Sequence, residues 1–224
     1  MSSLSPPPLL PTAPTVDPAG EKRVTFQDLS WRAYQQLLQT LPPTRSARLI
    51  YDRGLLEITM PSELHEFARE LIGRFIYFLV SELGFSLKTL GSTTLDRPDL
   101  ERGVEPDSAY YIQNQPQVAG RRVDLAVDPP PDLVVEVDIT HSDVNKLNLY
   151  AALGVPEFWR YNGQDWRIYH LQAGVYQEVD RSPTFPQVPK ERLYTFLSQA
   201  QADEVGAERA LRQWLRDLPP TPDA

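Results

Sequence analysis

Cysteine is absent from the 224 residues, which removes disulfides, iron–sulfur clusters, thiolate zinc sites and cysteine nucleophiles together. Histidine is scarce: His65, His141 and His170 are the only three. A metal in this chain therefore has to rest mainly on oxygen, which favours a hard ion such as magnesium or manganese. No run approaches the ~18 uncharged apolar residues of a membrane helix. The N-terminus also lacks the basic region and apolar segment of a secretory signal. These absences predict a soluble cytoplasmic protein with no membrane partner. Lysine is rare as well, with four (Lys22, Lys88, Lys146 and Lys190) among 22 basic residues. The formal charge of -8 argues against tight nonspecific binding of nucleic acid, whose affinity comes largely from neutralised phosphates. It leaves room for brief binding through a metal.

What is present suits one globular domain: 41% hydrophobic residues on a chain long enough to bury a sizeable core. Proline is abundant and clustered, with six in the first 20 residues, which carry no positive side chain. The pattern predicts a disordered proline-rich tail over 1–22, a domain over 23–199, an amphipathic helix over 200–218 and a short tail over 219–224. Inside the domain, Ser30 is placed to cap a helix to about Thr40. ARLIY and LLEITM flank a tight turn at Asp52, Arg53 and Gly54. Ser62 is placed to cap a long helix whose apolar stripe runs from Leu64 to Leu83. Strands are expected near 86–90, 93–96, 107–112 and 132–139, then a helix over about 142–153, a meander through EFWRY, DWRIYHL and VYQEV, and the C-terminal helix. The order is that of a mixed α/β domain around one central sheet.

The strand DLVVEVDIT carries the chemistry. Alternation puts Leu133, Val135, Val137 and Ile139 on one face and Asp132, Val134, Glu136, Asp138 and Thr140 on the other. Two readings stand side by side: a half-buried strand with its polar face in water, or carboxylates gathered around a cation, since like charges beside one another repel. A second acidic pair, Glu105 and Asp107, opens a strand in GVEPDSAYYI. If the two strands are neighbours, Asp107 and Glu136 converge. Converging carboxylates suit a hard divalent ion and, with it, phosphodiester hydrolysis. Lys146, early in the following helix, is either a solvated lysine paired with Asp143 or a charge that reaches the same pocket. His65 and Glu66, in the first turn of the long helix, either suit the helix dipole or lend a group to the rim of the site. Trp159, Tyr161, Trp166 and Tyr169 alternate along the meander and read as core or dimer contacts before a base-stacking platform.

EPDSAYYI, DLVVEVDIT, DVNKLNLYAALGVPEFW and DWRIYHL occur in that order, after the hairpin YDRGLLEITMPSELHE. This succession resembles the bacterial Uma-two family of the PD-(D/E)XK nuclease superfamily, over about Thr25 to Val179. The resemblance implies a restriction-endonuclease-like core, a mixed central sheet flanked by helices, with a magnesium-dependent nuclease site. It carries the family's aspartate to Asp107 and its glutamate to Glu136, with the carbonyl of Val137 as a further metal ligand. Where the superfamily lysine stands, two residues after Glu136, this chain has Asp138. In the family the lysine often lies on the next helix, and Lys146 matches it there. Asp138 is then an extra ligand or a sign that the site has drifted.

The leading expectation is thus a magnesium- or manganese-dependent DNA endonuclease. Asp107 and Glu136, with the Val137 carbonyl, hold the ion; Lys146 supports the attacking water, Asp138 modulates, and His65 and Glu66 stand behind. The alternative is a catalytically inactive dimeric module on the same fold, binding nucleic acid or protein. A metal-free acid–base pair of Glu136 and Asp138 ranks last, because two neighbours on one strand are poorly placed to flank a scissile bond.

Overall fold

The computed structural model describes residues 21–42 and 44–219. The N-terminal tail up to residue 20 and residues 220–224 of the C-terminal one lie outside that range. The chain runs β1 (Lys22–Phe26), α1 (Trp31–Thr40), β2 (Arg48–Asp52), β3 (Leu55–Met60), α2 (Glu63–Glu82), β4 (Lys88–Thr89) and β5 (Leu95–Arg97). After a 3-10 turn over Pro98–Leu100 it continues with β6 (Arg102–Val104), β7 (Ser108–Tyr111), α3 (Gln115–Val118), β8 (Leu133–Val137) and α4 (Lys146–Ala152). It closes with β9 (Glu157–Tyr161), β10 (Trp166–Gln172), β11 (Val175–Val179), α5 (Glu191–Ala200) and α6 (Glu204–Arg216).

Local chemistry explains the elements that the sequence marks best. The Ser30 hydroxyl accepts from the N–H of Ala33, and that of Ser62 from the N–H of His65, so each satisfies a donor that a helix start leaves free. Glu63 and Glu66 add negative charge at the positive end of α2. Between β2 and β3, Arg53 and Gly54 take φ of 45° and 100°, the left-handed pair that a two-residue hairpin turn needs.

A six-stranded mixed sheet, ordered β11-β10-β9-β8-β7-β4, forms the centre. Its strands are antiparallel except β8 and β9, which run parallel and are joined through α4. Leu133, Val135 and Val137 of β8 turn one face to α2, α5 and α6, packing with Phe75, Ile76, Trp159 and Trp166. Val134 turns the other way, towards Ala109, Phe158 and Tyr150. Trp159 and Trp166 stack edge-on 4.7 Å apart in the core, which places two of the meander aromatics in packing. The expected mixed sheet flanked by helices is therefore present. Beside it lies a second, antiparallel sheet, β1-β3-β2-β6-β5, with α1 packed on it through Tyr34. The expectation of a single sheet missed this division.

Several segments differ in extent from their expected bounds, among them the helix expected over about 142–153, which starts at Lys146, and the strand expected over 132–139, which spans Leu133–Val137. β1 includes Lys22, so a strand begins inside the stretch expected to be tail. Towards the C-terminus, α5 precedes α6, and α6 ends at Arg216. The α6 face of Ala207, Leu211 and Leu215 is buried in the helical layer, where Arg212 lies over Phe78 and pairs with Glu82.

Gly103 shows how closely the small sheet is packed. The Tyr34 hydroxyl donates to Asp96 at 3.0 Å across the place a side chain at 103 would fill, and an added Cβ would collide with both groups. Gly103→Ala should therefore cost about 1–3 kcal/mol by urea denaturation. Tyr34→Phe removes one of the clashing atoms, so the double variant should lose less than the sum of the two single losses. Strict additivity would show that the strand relieves the clash by shifting.

Candidate functional site

β7 and β8 pair antiparallel with Ser108 opposite Val135, so one step further Asp107 faces Glu136. β7 has ended by then, and the Asp107 side chain continues the ladder: Oδ2 accepts from the N–H of Val137 at 2.7 Å. The N–H and C=O of one strand residue point towards the same neighbour, so the Val137 carbonyl faces the Asp107 side. Asp107, Glu136 and Asp138 are 4%, 2% and 3% exposed, which excludes the reading of a polar face in water.

Lys146 opens α4 after its cap, where the Asn145 side chain accepts from the N–H of Asn148. It is buried, and its Nζ donates to Glu136 Oε2 and Asp138 Oδ1, each at 2.6 Å. Tyr150 lies one turn further on the same face, and its hydroxyl donates to Glu136 Oε1. Arg160 of β9, opposite Glu136 in the parallel register, donates to Asp138 Oδ2 at 2.8 Å. From α2, His65 is buried with Nε2 3.0 Å from Asp107 Oδ2. Asp107, Glu136, Asp138, Val137, Lys146 and His65 thus come together. Glu66 stays at the half-exposed rim, paired with Arg69 at 2.9 Å. Glu105 goes elsewhere, accepting from the N–H of Leu49 at 2.9 Å and the Thr94 hydroxyl at 3.0 Å.

Burial is the largest influence on every group here, and the partners decide the outcome. Desolvation, with Asp107 and Asp138 as like-charged neighbours, pushes Glu136 up to about 7 despite Lys146. Asp138 is also desolvated, yet Lys146, Arg160 and Arg23 hold it below the usual carboxylate range. Asp107 is likewise held low, by His65, Lys146 and the Val137 N–H, against desolvation. For Lys146, desolvation disfavours the charge, but three carboxylates outweigh it and raise the pKa. The His65 ring is raised in the same manner by Asp107, Glu21 and Glu66.

Several participants carried no sequence signal beyond their type. Arg23 of β1 donates to Glu57 at 2.6 Å, to Glu21 at 2.7 Å and to Thr140 at 2.9 Å, and stands 3.5 Å from Asp138. Glu57 of β3 accepts from the Ser142 hydroxyl and, at 2.9 Å, from the N–H of Asp143. Only Tyr150 was recoverable, since its i,i+4 spacing from Lys146 puts both on one helix face. A cavity of about 10 Å³, near the room one water needs, is lined by Arg23, His65, Asp107, Glu136, Val137 and Lys146. Glu105 borders it and also a groove of about 850 Å³ between α1 and residues 122–125.

The donor chemistry fits a divalent ion. Five buried carboxylates (Glu21, Glu57, Asp107, Glu136, Asp138) face three permanent cations (Arg23, Lys146, Arg160), and one buried carboxylate oxygen, Oε1 of Glu21, has no hydrogen-bond partner. Among the described residues, however, no three His, Asp or Glu side chains stand ready-grouped for an ion. Lys146 already occupies the space between Glu136 and Asp138.

Among the described residues no helix is long and apolar enough to cross a membrane. The chain matches no curated protein. It is similar in fold to the crystal structure of a putative nuclease belonging to DUF820 from Anabaena variabilis, with a TM-score of 0.51 and 15% identity, covering 84% of this chain and 99% of that one. Residues 31–199 match the family described as "Putative restriction endonuclease" (Uma2), and the chain belongs to that family.

Proposed function

We propose that the protein is a divalent-metal-dependent nuclease that hydrolyses DNA phosphodiester bonds. The observation that carries this reading is the meeting of Asp107 and Glu136 across β7 and β8, both buried, with Lys146 of the next helix in contact with Glu136. Family membership and the fold of the Anabaena protein agree with it. Asp107, Glu136 and the Val137 carbonyl would hold magnesium or manganese. Such an ion supplies a lowered pKa for an attacking water and countercharge for a phosphate oxygen.

The chain's own groups divide the remaining tasks. Lys146 is held protonated by its carboxylate partners, so it acts as a fixed positive charge for the phosphate and not as a base. Glu136, with its pKa near 7, sheds a proton at little cost when a cation arrives. Tyr150 fixes one Glu136 oxygen by donating to it. Asp138, bound by Lys146 and Arg160, positions the lysine.

One observation favours a second reading, an inactive binding module. Lys146 bridges Glu136 and Asp138 at 2.6 Å to each, as a bound metal would, and Tyr150 and Arg160 bond their remaining oxygens. Plasmid nicking separates the two. With manganese or magnesium the parent should cut supercoiled DNA, and Glu136→Gln or Asp107→Asn should lose activity by at least about 100-fold, since even groups behind metal ligands are worth 10–100-fold. A parent that cuts no DNA with any divalent ion sinks the nuclease reading.

Because Lys146 is buried, it matters to folding as well as to chemistry. Lys146→Met keeps the bulk and removes the charge, leaving carboxylates uncompensated, at about 3–5 kcal/mol of stability. Burial and its acidic neighbours already push Glu136 above its ordinary value, and losing the lysine removes the charge that opposes this shift. The penalty therefore grows as pH rises and should be larger at pH 8 than at pH 5 by denaturant titration. A loss independent of pH would argue against charge as its cause.

A further inference from the structure

β1 lies at one end of the five-stranded sheet and pairs with β3 on one side only. Among the described residues, no backbone group of residues 22–26 bonds to another backbone group outside that ladder. The strand therefore presents an open row of N–H and C=O groups, a template for another strand. The other sheet edges are better guarded: β4 and β5 have two and three residues, and β11 sets Gln177 and Glu178 among its exposed positions. β1 has five residues and no proline. Its basic residues protect it little, since Arg23 is turned into the polar centre and Lys22 stands at the strand's first position.

An apolar strip follows the same edge. Arg23 and Thr25 reach Glu57 and Asp143, so alternation turns Val24 and Phe26 to the opposite face. They stand beside Ile58 and Leu56 of β3, with Met60 next along that strand. α1 covers Leu56 through the small core around Tyr34, but the cover stops short of the edge. Val24, Phe26 and Met60 are 50%, 47% and 51% exposed. A second apolar surface would take this strip out of water.

We propose that β1 pairs antiparallel with β1 of a second copy of this chain, joining the two five-stranded sheets into one across a two-fold axis. Charge selects the register. Centred on Arg23, the pairing would set the two copies of this arginine opposite each other, which repels. Centred on Val24, it would set Lys22 against the partner's Phe26 and break the strip. Centred on Thr25, it sets Val24 against the partner's Phe26 twice over and brings the exposed Lys22 opposite the partner's exposed Asp28. Thr25 then meets its own copy, a pairing that strands favour. Opposite charges close both ends of an apolar centre, and one short segment encodes the whole arrangement. Arg23, bonded to Glu21, Glu57 and Thr140, lies on the same strand, so the partner braces the polar centre from outside. The pairing does not depend on what that centre catalyses.

Sedimentation equilibrium of the full chain, with thermal melting beside it, tests the pairing. The parent should form a dimer by about 100 µM. A residue in a two-fold interface is present twice, so Val24→Lys should weaken the dimer at least about tenfold. Melting of the monomer should move by only a few degrees, because the side chain is half exposed. Lys22→Glu puts a carboxylate against the partner's Asp28 and should weaken the dimer too. Adding Asp28→Asn, a residue at ease with the φ of 57° at that position, should recover part of this loss. A parent that stays monomeric overturns the proposal, and so does a dimer that Val24→Lys leaves equally tight, since it would use another surface. A monomeric parent whose Val24→Lys variant melts much lower gives the face to residues 1–20 of the same chain, which overturns it as well. A Lys22→Glu loss that Asp28→Asn leaves whole overturns the register and the pairing built on it.

Discussion

Burying Glu136 and Asp138 on one face of one strand sets the central physical problem of this fold, because each loses hydration and each repels the other and Asp107. Taking a carboxylate out of water costs several kcal/mol even after relaxation, and only close, well-bonded countercharge offsets it. Lys146 provides that countercharge from inside the protein, reaching both oxygens at 2.6 Å. Its position fixes where α4 starts, and α4 in turn sets the crossover that brings β9 parallel to β8. Arg160, on that strand, then completes the shell around Asp138. The polar centre and the parallel step in the sheet are therefore parts of one arrangement.

The same centre joins the two sheets. Arg23 of β1 and Glu57 of β3 belong to the five-stranded sheet, yet their partners Thr140, Ser142 and Asp143 lie in the loop that leaves β8 of the other. His65, on the helix that follows β3, bonds to Asp107 in front of β7. The second core also crosses this boundary, packing Ile50, Leu95 and Val104 of the five-stranded sheet with Ala109, Val134 and Phe158 of the other, so apolar contact and the polar centre hold the sheets together. Loosening the centre should be felt as movement of one sheet against the other as well as local damage.

What could be read in advance was what local periodicity encodes. α2 has a capping serine and a long apolar stripe, the Arg53-Gly54 turn has its glycine, and β8 alternates cleanly, so their elements follow from short-range rules. Asp107, Glu136 and Lys146 could be brought together on paper because strand and helix adjoin and two acidic strands were natural neighbours. Glu105 shows where such reasoning fails. It shares parity with Asp107, but the chain leaves the five-stranded sheet after β6 and enters the six-stranded one at β7, with Pro106 at the crossing. Parity does not carry across a change of sheet, and Glu105 turns to Leu49 and Thr94. Glu21 and Arg23 were beyond reach for another reason: the Glu21–Thr140 bond spans 119 residues, and KRVTF offers only a weak strand pattern.

Asp138 is the residue through which the chain departs from the superfamily pattern, and its surroundings suggest what the departure accomplishes. A lysine in its place would sit on the strand beside Glu136, fixed by the backbone. With the lysine on α4 instead, nothing in the backbone holds the ammonium near Glu136, and a flexible four-carbon stem could turn away to water. Asp138 supplies the second anchor: Nζ is held between two carboxylates and not by one alone. Arg160 and Arg23, both close to Asp138, keep it ionised so that this anchor persists when Glu136 takes up a proton. Burial and its acidic neighbours push Glu136 up to about 7, while the two carboxylates on either side hold the Lys146 ammonium in place. A carboxylate two residues after Glu136 is then compatible with the centre proposed above, because it helps to hold the Lys146 ammonium beside Glu136.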